Sequence, residues 1–232
     1  MTPGSLARRP EATVLVGAVA IAFSGILFRL SHVSPSTGAF FRCLWALPVL
    51  WPIALWEQRR WGRRPLRARA FAWLAGLFFT ADLILWHNAI DQVGAGLGTV
   101  LGNTQVVLVG LLAWLFFHER PQRASVVAIP IVIAGVILIS GALEHGAYGA
   151  NPGRGAVYGV FTGVAYTGFL LVLRLGQRDV VGPAGPLFDA TLACAAGCLV
   201  VGAIVGDLDL TPSWSAQGWL VLLALSAQAA GW

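Results

Sequence analysis

The chain has 232 residues, of which 57% are hydrophobic and only 11% are charged, and its mean hydropathy is +0.76. This composition excludes an ordinary soluble domain and indicates a polytopic membrane protein. The net charge of +5 rests on arginine alone, because the sequence contains no lysine. The arginines lie in short segments between apolar runs, so they predict membrane topology rather than a nucleic-acid-binding surface.

Eight apolar segments follow one another along the chain, and we predict one membrane helix for each. The second helix contains Pro48 and Pro52, which predict kinks. An arginine-rich loop, 57–69, joins the second and third helices, and a glycine-rich connector, 145–153, follows the fifth. The predicted helices cover about 12–28, 36–56, 70–90, 92–117, 124–143, 155–173, 183–206 and 213–232.

The positions of the arginines predict the orientation of the chain. If each apolar run crosses the membrane once, most of the arginines fall on one side, which the positive-inside rule assigns to the cytoplasm. We therefore expect a multi-pass protein of the plasma membrane with a cytoplasmic N-terminus. The arginines on the predicted cytoplasmic side are Arg8, Arg9, Arg59, Arg60, Arg63, Arg64, Arg67, Arg69, Arg120, Arg123, Arg174 and Arg178.

The fourth predicted helix carries small and polar residues in an otherwise apolar span. Gly94, Gly98 and Gly102 recur every four residues, which predicts a face that a neighbouring backbone can approach closely. Asn103 and Gln105 follow at mid-membrane depth, where an amide is costly unless a partner satisfies it. These two amides are candidates to bind a solute, or else to tie helices together.

An internal repeat relates the third helix to the eighth. Trp73 and Trp86 lie 146 residues before Trp219 and Trp232, and the same offset pairs Asp82 with Gln228. The copies are offset by five helices, an odd number, so the second copy enters the membrane from the opposite side, as in many secondary transporters. We therefore predict an all-α bundle of two inverted five-helix repeats, with about eight of ten helices present. The first repeat is 12–143 and the second is 154–232, whose last two helices would lie beyond the given sequence.

The order and spacing of these features resemble the drug/metabolite transporter superfamily, specifically its EamA-type members. The resemblance is strongest over 89–135: small residues in helix 4, then Asn103-Thr104, an apolar run to Glu119-Arg120, and Gly135 in helix 5. Arg42 matches an arginine common early in helix 2. The chain departs from the family at Val106, where a proline is common, and at His118, where a glycine is common. The resemblance implies a solute carrier, commonly an exporter.

Candidate site residues cluster on helix 3. Asp82 is a carboxylate inside a membrane helix, which normally faces the bundle interior; it could bind a cation, carry a coupling proton, or form a structural pair with Arg42. Trp86 lies one turn further on the same face, as a wall of the solute site or an interfacial anchor. His87 is a second candidate for proton coupling, or an interfacial residue.

We assign structural roles to several other polar residues. Arg42 and Asp189 hold corresponding early positions in helices 2 and 7, and a structural pair is as plausible as solute contact for them. Glu119, beside Arg120 and Arg123, is expected to fix the loop after helix 4. Cys43, Cys194 and Cys198 are expected to be buried small side chains, since no histidine or carboxylate completes a metal site near them.

We predict a secondary transporter that uses no cofactor or metal and has two partners, the lipid bilayer and a small-molecule solute. Coupling to protons and the oligomeric state are left open. Two alternatives are an integral-membrane enzyme and a non-transporting scaffold. The four histidines lie on different loops or helix ends without catalytic spacing, and buried Asp and Asn residues are not expected of a scaffold.

Overall fold

The computed structural model describes residues 19–118, 150–178 and 180–229, together with the single positions 15, 17, 126, 127, 130, 131, 134 and 135. Within these residues the chain forms helices and no strand, which confirms the all-α class. Predicted helix 5 lies mostly outside the described residues, as does Glu119. The helices are α1 Ser24–Ser31, α2 Pro35–Trp61, α3 Leu66–Val93, α4 Ala95–Gly102, α5 Gln105–Phe117, α6 Pro152–Gly176, α7 Ala184–Val205 and α8 Trp214–Ala229.

Five described segments are long and apolar enough to cross a membrane. Large apolar side chains cover the outside of the bundle; Leu77 is 56% exposed and Ile204 is 79% exposed. Such a surface suits contact with lipid, so the chain is a polytopic membrane protein. The five segments are Pro35–Trp61, Leu66–Val93, Ala95–Leu112, Pro152–Gly176 and Ala184–Val205.

Local sequence signals explain where several helices begin. Ser34 precedes α2, its hydroxyl accepts a hydrogen bond from the Thr37 amide at 3.3 Å, and Pro35 occupies the first helical position. Asn151 does the same for α6, accepting from the Arg154 amide at 3.1 Å ahead of Pro152. Both helices therefore start at a polar cap followed by proline.

The arginine-rich loop is much shorter than predicted. α2 continues to Trp61 and α3 begins at Leu66, so only 62–65 lies outside helix. The prediction was wrong because it treated charged residues as loop, whereas arginine is a good helix former and can extend from a helix end into the lipid headgroup layer. α1 similarly extends to Ser31, beyond the predicted end at Phe28.

The segment predicted as helix 4 forms two helices, α4 and α5, and the three glycines predicted on one helix face do not all lie on it. Gly94 lies between α3 and α4 with a φ of +86°, which favours glycine, so it does not share a helix face with Gly98 and Gly102. α4 ends at Gly102, and Asn103 and Thr104 separate it from α5. The break therefore falls at the polar pair, two residues before Val106.

A different glycine stripe mediates close packing, on α6. Gly155, Gly159 and Gly163 recur every four residues and approach Val93, Leu101 and Thr104 so closely that an added methyl group would overlap them. α6 thereby packs along the end of α3 and along the α4–α5 break.

α2 and α7 are joined at both ends. At the arginine-rich end, which holds 59–69, the Glu57 carboxylate accepts hydrogen bonds from the first amides of α7. At the opposite end, the Ser34 hydroxyl donates to the Asp207 carbonyl, and the Asp209 amide donates to the Thr37 hydroxyl at 2.8 Å. Between these ends, the side chains of Cys43, Cys194 and Cys198 are buried together, as predicted for them.

Candidate functional site

A cavity of about 280 Å³ with many polar side chains in its wall lies among α2, α3, α4, α5 and α6 and reaches the start of α1. It contains all four residues predicted to bind the solute. One further wall comes from α6, which the predicted repeat assigns to the second half. The cavity is lined by Ile21, Ala22, Ser24, Arg42, Asp82, Trp86, Thr99, Gly102, Asn103, Gln105, Thr162 and Tyr166.

The cavity lies deep in the membrane. α3 has 28 residues, and Asp82 is the seventeenth of them. At 1.5 Å per residue, Asp82 is roughly 24 Å from the Leu66 end of the helix and roughly 17 Å from the Val93 end. A hydrocarbon core of about 30 Å therefore places this carboxylate near the middle of the bilayer.

Asp82 and Arg42 both face this cavity. Asp82 is 5% exposed and Arg42 is 9% exposed. The structural pair that the sequence offered as an alternative is not formed: among the described residues, the ion pairs found within 4 Å involve Asp189, and neither Asp82 nor Arg42 takes part in one. The Arg42 guanidinium lies instead over the Trp86 ring, 5.3 Å from its centroid.

Trp86 and His87 are adjacent in the chain but differ in access to the cavity. Trp86 is 8% exposed and lines the cavity, so it is not an interfacial anchor. His87 is fully buried behind it, with its ring 4.9 Å from the Trp86 ring and 4.2 Å from the Phe28 ring. Its Nδ1 atom lies 2.6 Å from the Leu83 carbonyl oxygen. His87 is thus part of the core rather than of the cavity wall or the membrane interface.

The break between α4 and α5 brings polar groups to the cavity. Asn103 and Gln105 flank the break and both line the cavity. Facing them from α6, Thr162 is 2% exposed, and its hydroxyl oxygen has no hydrogen-bond partner among the described residues. Thr162 and Tyr166 were not singled out from the sequence, because nothing local distinguishes them from other polar residues in a membrane helix.

A second, smaller cavity of about 140 Å³ adjoins the first across Arg42 and Tyr166. It includes Gln228 of α8, the residue that the repeat pairs with Asp82. This second cavity is lined mostly by apolar side chains, and Arg42 and Tyr166 line both cavities.

Asp189 and Glu57 lie away from the cavity, at the arginine-rich end. Asp189 contacts Arg64 at 2.8 Å and Arg69 at 3.4 Å, so its partner is not Arg42. Glu57, predicted in a loop, is buried in α2 and accepts from the amides of Ala184 at 3.1 Å and Gly185 at 2.8 Å. No local pattern could have indicated this contact, since its partners lie 127 and 128 residues away.

Many membrane transport proteins are helical bundles with a cavity that is shared by several helices and holds polar side chains at mid-bilayer depth. The model of the EamA-like transporter family matches residues 9–141, which is more than half of the chain. The chain therefore belongs to the EamA-like transporter family, within the drug/metabolite transporter superfamily.

Two curated proteins are similar to parts of the chain. Solute carrier family 35 member G1 of Mus musculus is 28% identical over 99 residues, covering 43% of this chain and 27% of that protein. The probable 4-amino-4-deoxy-L-arabinose-phosphoundecaprenol flippase subunit ArnE of Pectobacterium atrosepticum is 33% identical over 86 residues, covering 35% of this chain and 76% of that protein. No solved structure matches the chain.

Proposed function

We propose that the protein is a secondary transporter that exports small metabolites by alternating access, and that the cavity around Asp82 is its solute site. The observation that carries this proposal is the meeting of Asp82, Trp86, Asn103 and Gln105 in one polar cavity at mid-membrane depth. Buried polar groups in a membrane are costly, so their convergence on a cavity favours a solute-binding role over a purely structural one.

We derive the transport mechanism from the predicted inverted repeat. In transporters with inverted repeats, the solute binds near the midplane between the halves, and the halves move relative to each other. The proposed halves here are 12–143 and 154–232. Thr162 and Tyr166 of the second half line the cavity together with residues of the first, as this mechanism requires.

Energy coupling is assigned to Asp82 rather than to His87. A coupling residue must reach the solute or the water in the cavity, and Asp82 lines the cavity whereas His87 is packed behind Trp86. The test is Asp82→Asn, with expression and folding checked. Loss of pH-driven accumulation with retained binding would identify the coupling residue; unchanged pH dependence and affinity would exclude Asp82 from coupling and from the site.

The proposed location is the plasma membrane, with the arginine-rich end in the cytoplasm. The described arginines support this orientation, because 59–69 and the junction of α6 with α7 lie at the same end of the bundle. Gly176, near the end of α6, packs against Phe71 of α3, which brings the two segments together. The solute would be bound from that side for export.

The decisive experiment is uptake of a panel of labelled metabolites into inverted membrane vesicles.

A matched pair of variants tests the cavity. Gly102 lines the cavity, and a Cβ atom there would lie 3.3 Å from Thr162 and 3.4 Å from Trp86, so Gly102→Leu should fill the cavity and abolish uptake. Gly218 has no atom within 4 Å of an added Cβ, so Gly218→Leu should transport normally. Equal transport by both variants would show that the solute passes elsewhere.

A further inference from the structure

A separate cleft of about 330 Å³ opens at the arginine-rich end, between the start of α3 and the end of α6. It shares no lining residue with the cavity around Asp82, so it is distinct from the proposed solute site. Its wall includes Arg67, Ala68 and Phe71 of α3, Leu175 and Gly176 of α6, and Arg178 just after α6.

Two arginines line this cleft, and the described part of its wall contains no carboxylate. Elsewhere at this end, Arg64 and Arg69 form ion pairs with Asp189. Arg67 forms no ion pair with another described residue, and its guanidinium lies over the Phe71 ring, 5.7 Å from the centroid. Contact with the ring orients the guanidinium without consuming its N–H groups, which can donate to an anion.

The cleft lies at the depth of the lipid headgroups. Arg67 and Phe71 precede Asp82 on α3 by 15 and 11 residues, which is roughly 22 and 16 Å at 1.5 Å per residue. With Asp82 near the middle of the bilayer, the headgroup layer extends from roughly 15 Å to roughly 22 Å away from it. The cleft therefore faces lipid phosphates rather than hydrocarbon.

An apolar stripe of α3 continues from the cleft towards the middle of the membrane. Arg67, Phe71, Leu74 and Phe78 are spaced by three or four residues and so lie on one face of the helix. Phe71 and Phe78 pack against glycines of α6, and Leu74 between them is exposed. The stripe offers apolar contact to a hydrocarbon chain whose headgroup occupies the cleft.

We propose that this cleft binds the phosphate group of an anionic membrane lipid, with Arg67 and Arg178 donating hydrogen bonds to it. A guanidinium holds a phosphate through paired, charge-assisted hydrogen bonds. Two arginines favour a headgroup with a net negative charge over one whose phosphate is balanced by an attached amine. The bound lipid would join the start of α3 to the end of α6, and thus the two proposed halves.

Lipid binding by the purified full chain tests the inference. The chain in detergent is titrated with phosphatidylglycerol, with phosphatidylcholine of the same acyl chains, or with soluble glycerol phosphate, and native mass spectrometry measures each affinity. One arginine near a membrane surface contributes about a fivefold preference for an anionic lipid. Phosphatidylglycerol should therefore bind about five- to thirtyfold more tightly than phosphatidylcholine.

A matched pair of arginine variants locates the site. Arg67→Gln should reduce the preference for phosphatidylglycerol about fivefold. Arg60→Gln is the control, because Arg60 is also exposed, belongs to the same end of the bundle and lies over an aromatic ring, that of Trp56 at 5.9 Å, but does not line the cleft. It should bind both lipids like the unmodified chain. Melting temperatures in phosphatidylcholine alone verify that both variants fold.

Three results would overturn the inference. Equal affinities of the unmodified chain for the two lipids would mean that the cleft does not select an anionic headgroup. Equal losses in Arg67→Gln and Arg60→Gln would mean that anionic lipid is attracted by the whole arginine-rich end and not bound in the cleft. Binding of glycerol phosphate as tightly as phosphatidylglycerol would mean that the ligand is a soluble phosphate and not a lipid.

Discussion

Gly76 offers a sharp test of the packing between α3 and α7. A Cβ atom at this position would lie 2.6 Å from the Ala193 Cβ atom and closer still to the Ala190 carbonyl oxygen. Ordinary carbon contacts are about 3.5–4.0 Å, so Gly76→Ala must push the two helices apart by roughly 1 Å. Overpacking of this kind costs about 1–3 kcal/mol.

The matched control is Gly218→Ala in α8, where an added methyl group meets no atom within 4 Å. There the substitution should stabilise the helix by up to about 1 kcal/mol, because alanine is the better helix former. The two variants should thus differ by about 1–4 kcal/mol, or roughly 2–16 °C in melting temperature for a domain of this size. Thermal unfolding of the purified proteins in one detergent measures the difference. Equal melting temperatures would mean that α3 and α7 are not in the close contact described.

Three further predictions concern the arginine-rich end. Glu57→Ala leaves the first amides of α7 without an acceptor and should lower the free energy of unfolding by about 1–3 kcal/mol, with Glu57→Gln in between; full stability of the alanine variant would contradict the contact. Asp189→Asn breaks a buried ion pair and should lower the free energy of unfolding by about 3–5 kcal/mol. Arg69→Gln should lower the free energy of unfolding by less than about 1 kcal/mol, because the Arg69 side chain is 50% exposed and its contact with Asp189, at 3.4 Å, is the longer of the two. Similar losses of stability in the Asp189→Asn and Arg69→Gln variants would refute this ranking. A cysteine introduced at Gly62 should react with a membrane-impermeant thiol reagent only after permeabilisation, and labelling in intact cells would invert the proposed topology.

The sequence was sufficient to predict features that depend on a single helix. α7 was predicted at 183–206 and is found at Ala184–Val205, because a long apolar run bounded by polar residues leaves little choice. Asp82 and Trp86 were expected to share a face because they lie four residues apart, and both line the cavity. Their role in binding solute stays a prediction.

Features that depend on two distant segments could not be predicted. Arg42 was assigned to packing, since nothing near it in the chain indicates that it reaches Trp86 and the cavity. The buried role of Glu57 depends equally on the start of α7. The break after α4 escaped prediction for a local reason: Asn103 and Thr104 permit a helix and do not enforce a break as proline would.

The attachment of α2 to α7 at both ends restricts how the cavity can change its accessibility. Sliding one helix along the other by a single turn would break the Glu57 contacts at one membrane surface and the Thr37 contacts at the other in the same step. An elevator-type displacement of this pair is therefore costly, whereas rotation of other helices around it leaves every one of these bonds intact. For the proposed transport cycle, α2 of the first half and α7 of the second would stay together as the axis, and the remaining helices of the two halves would move about them. A covalent cross-link between them at either surface should then leave the turnover rate unchanged.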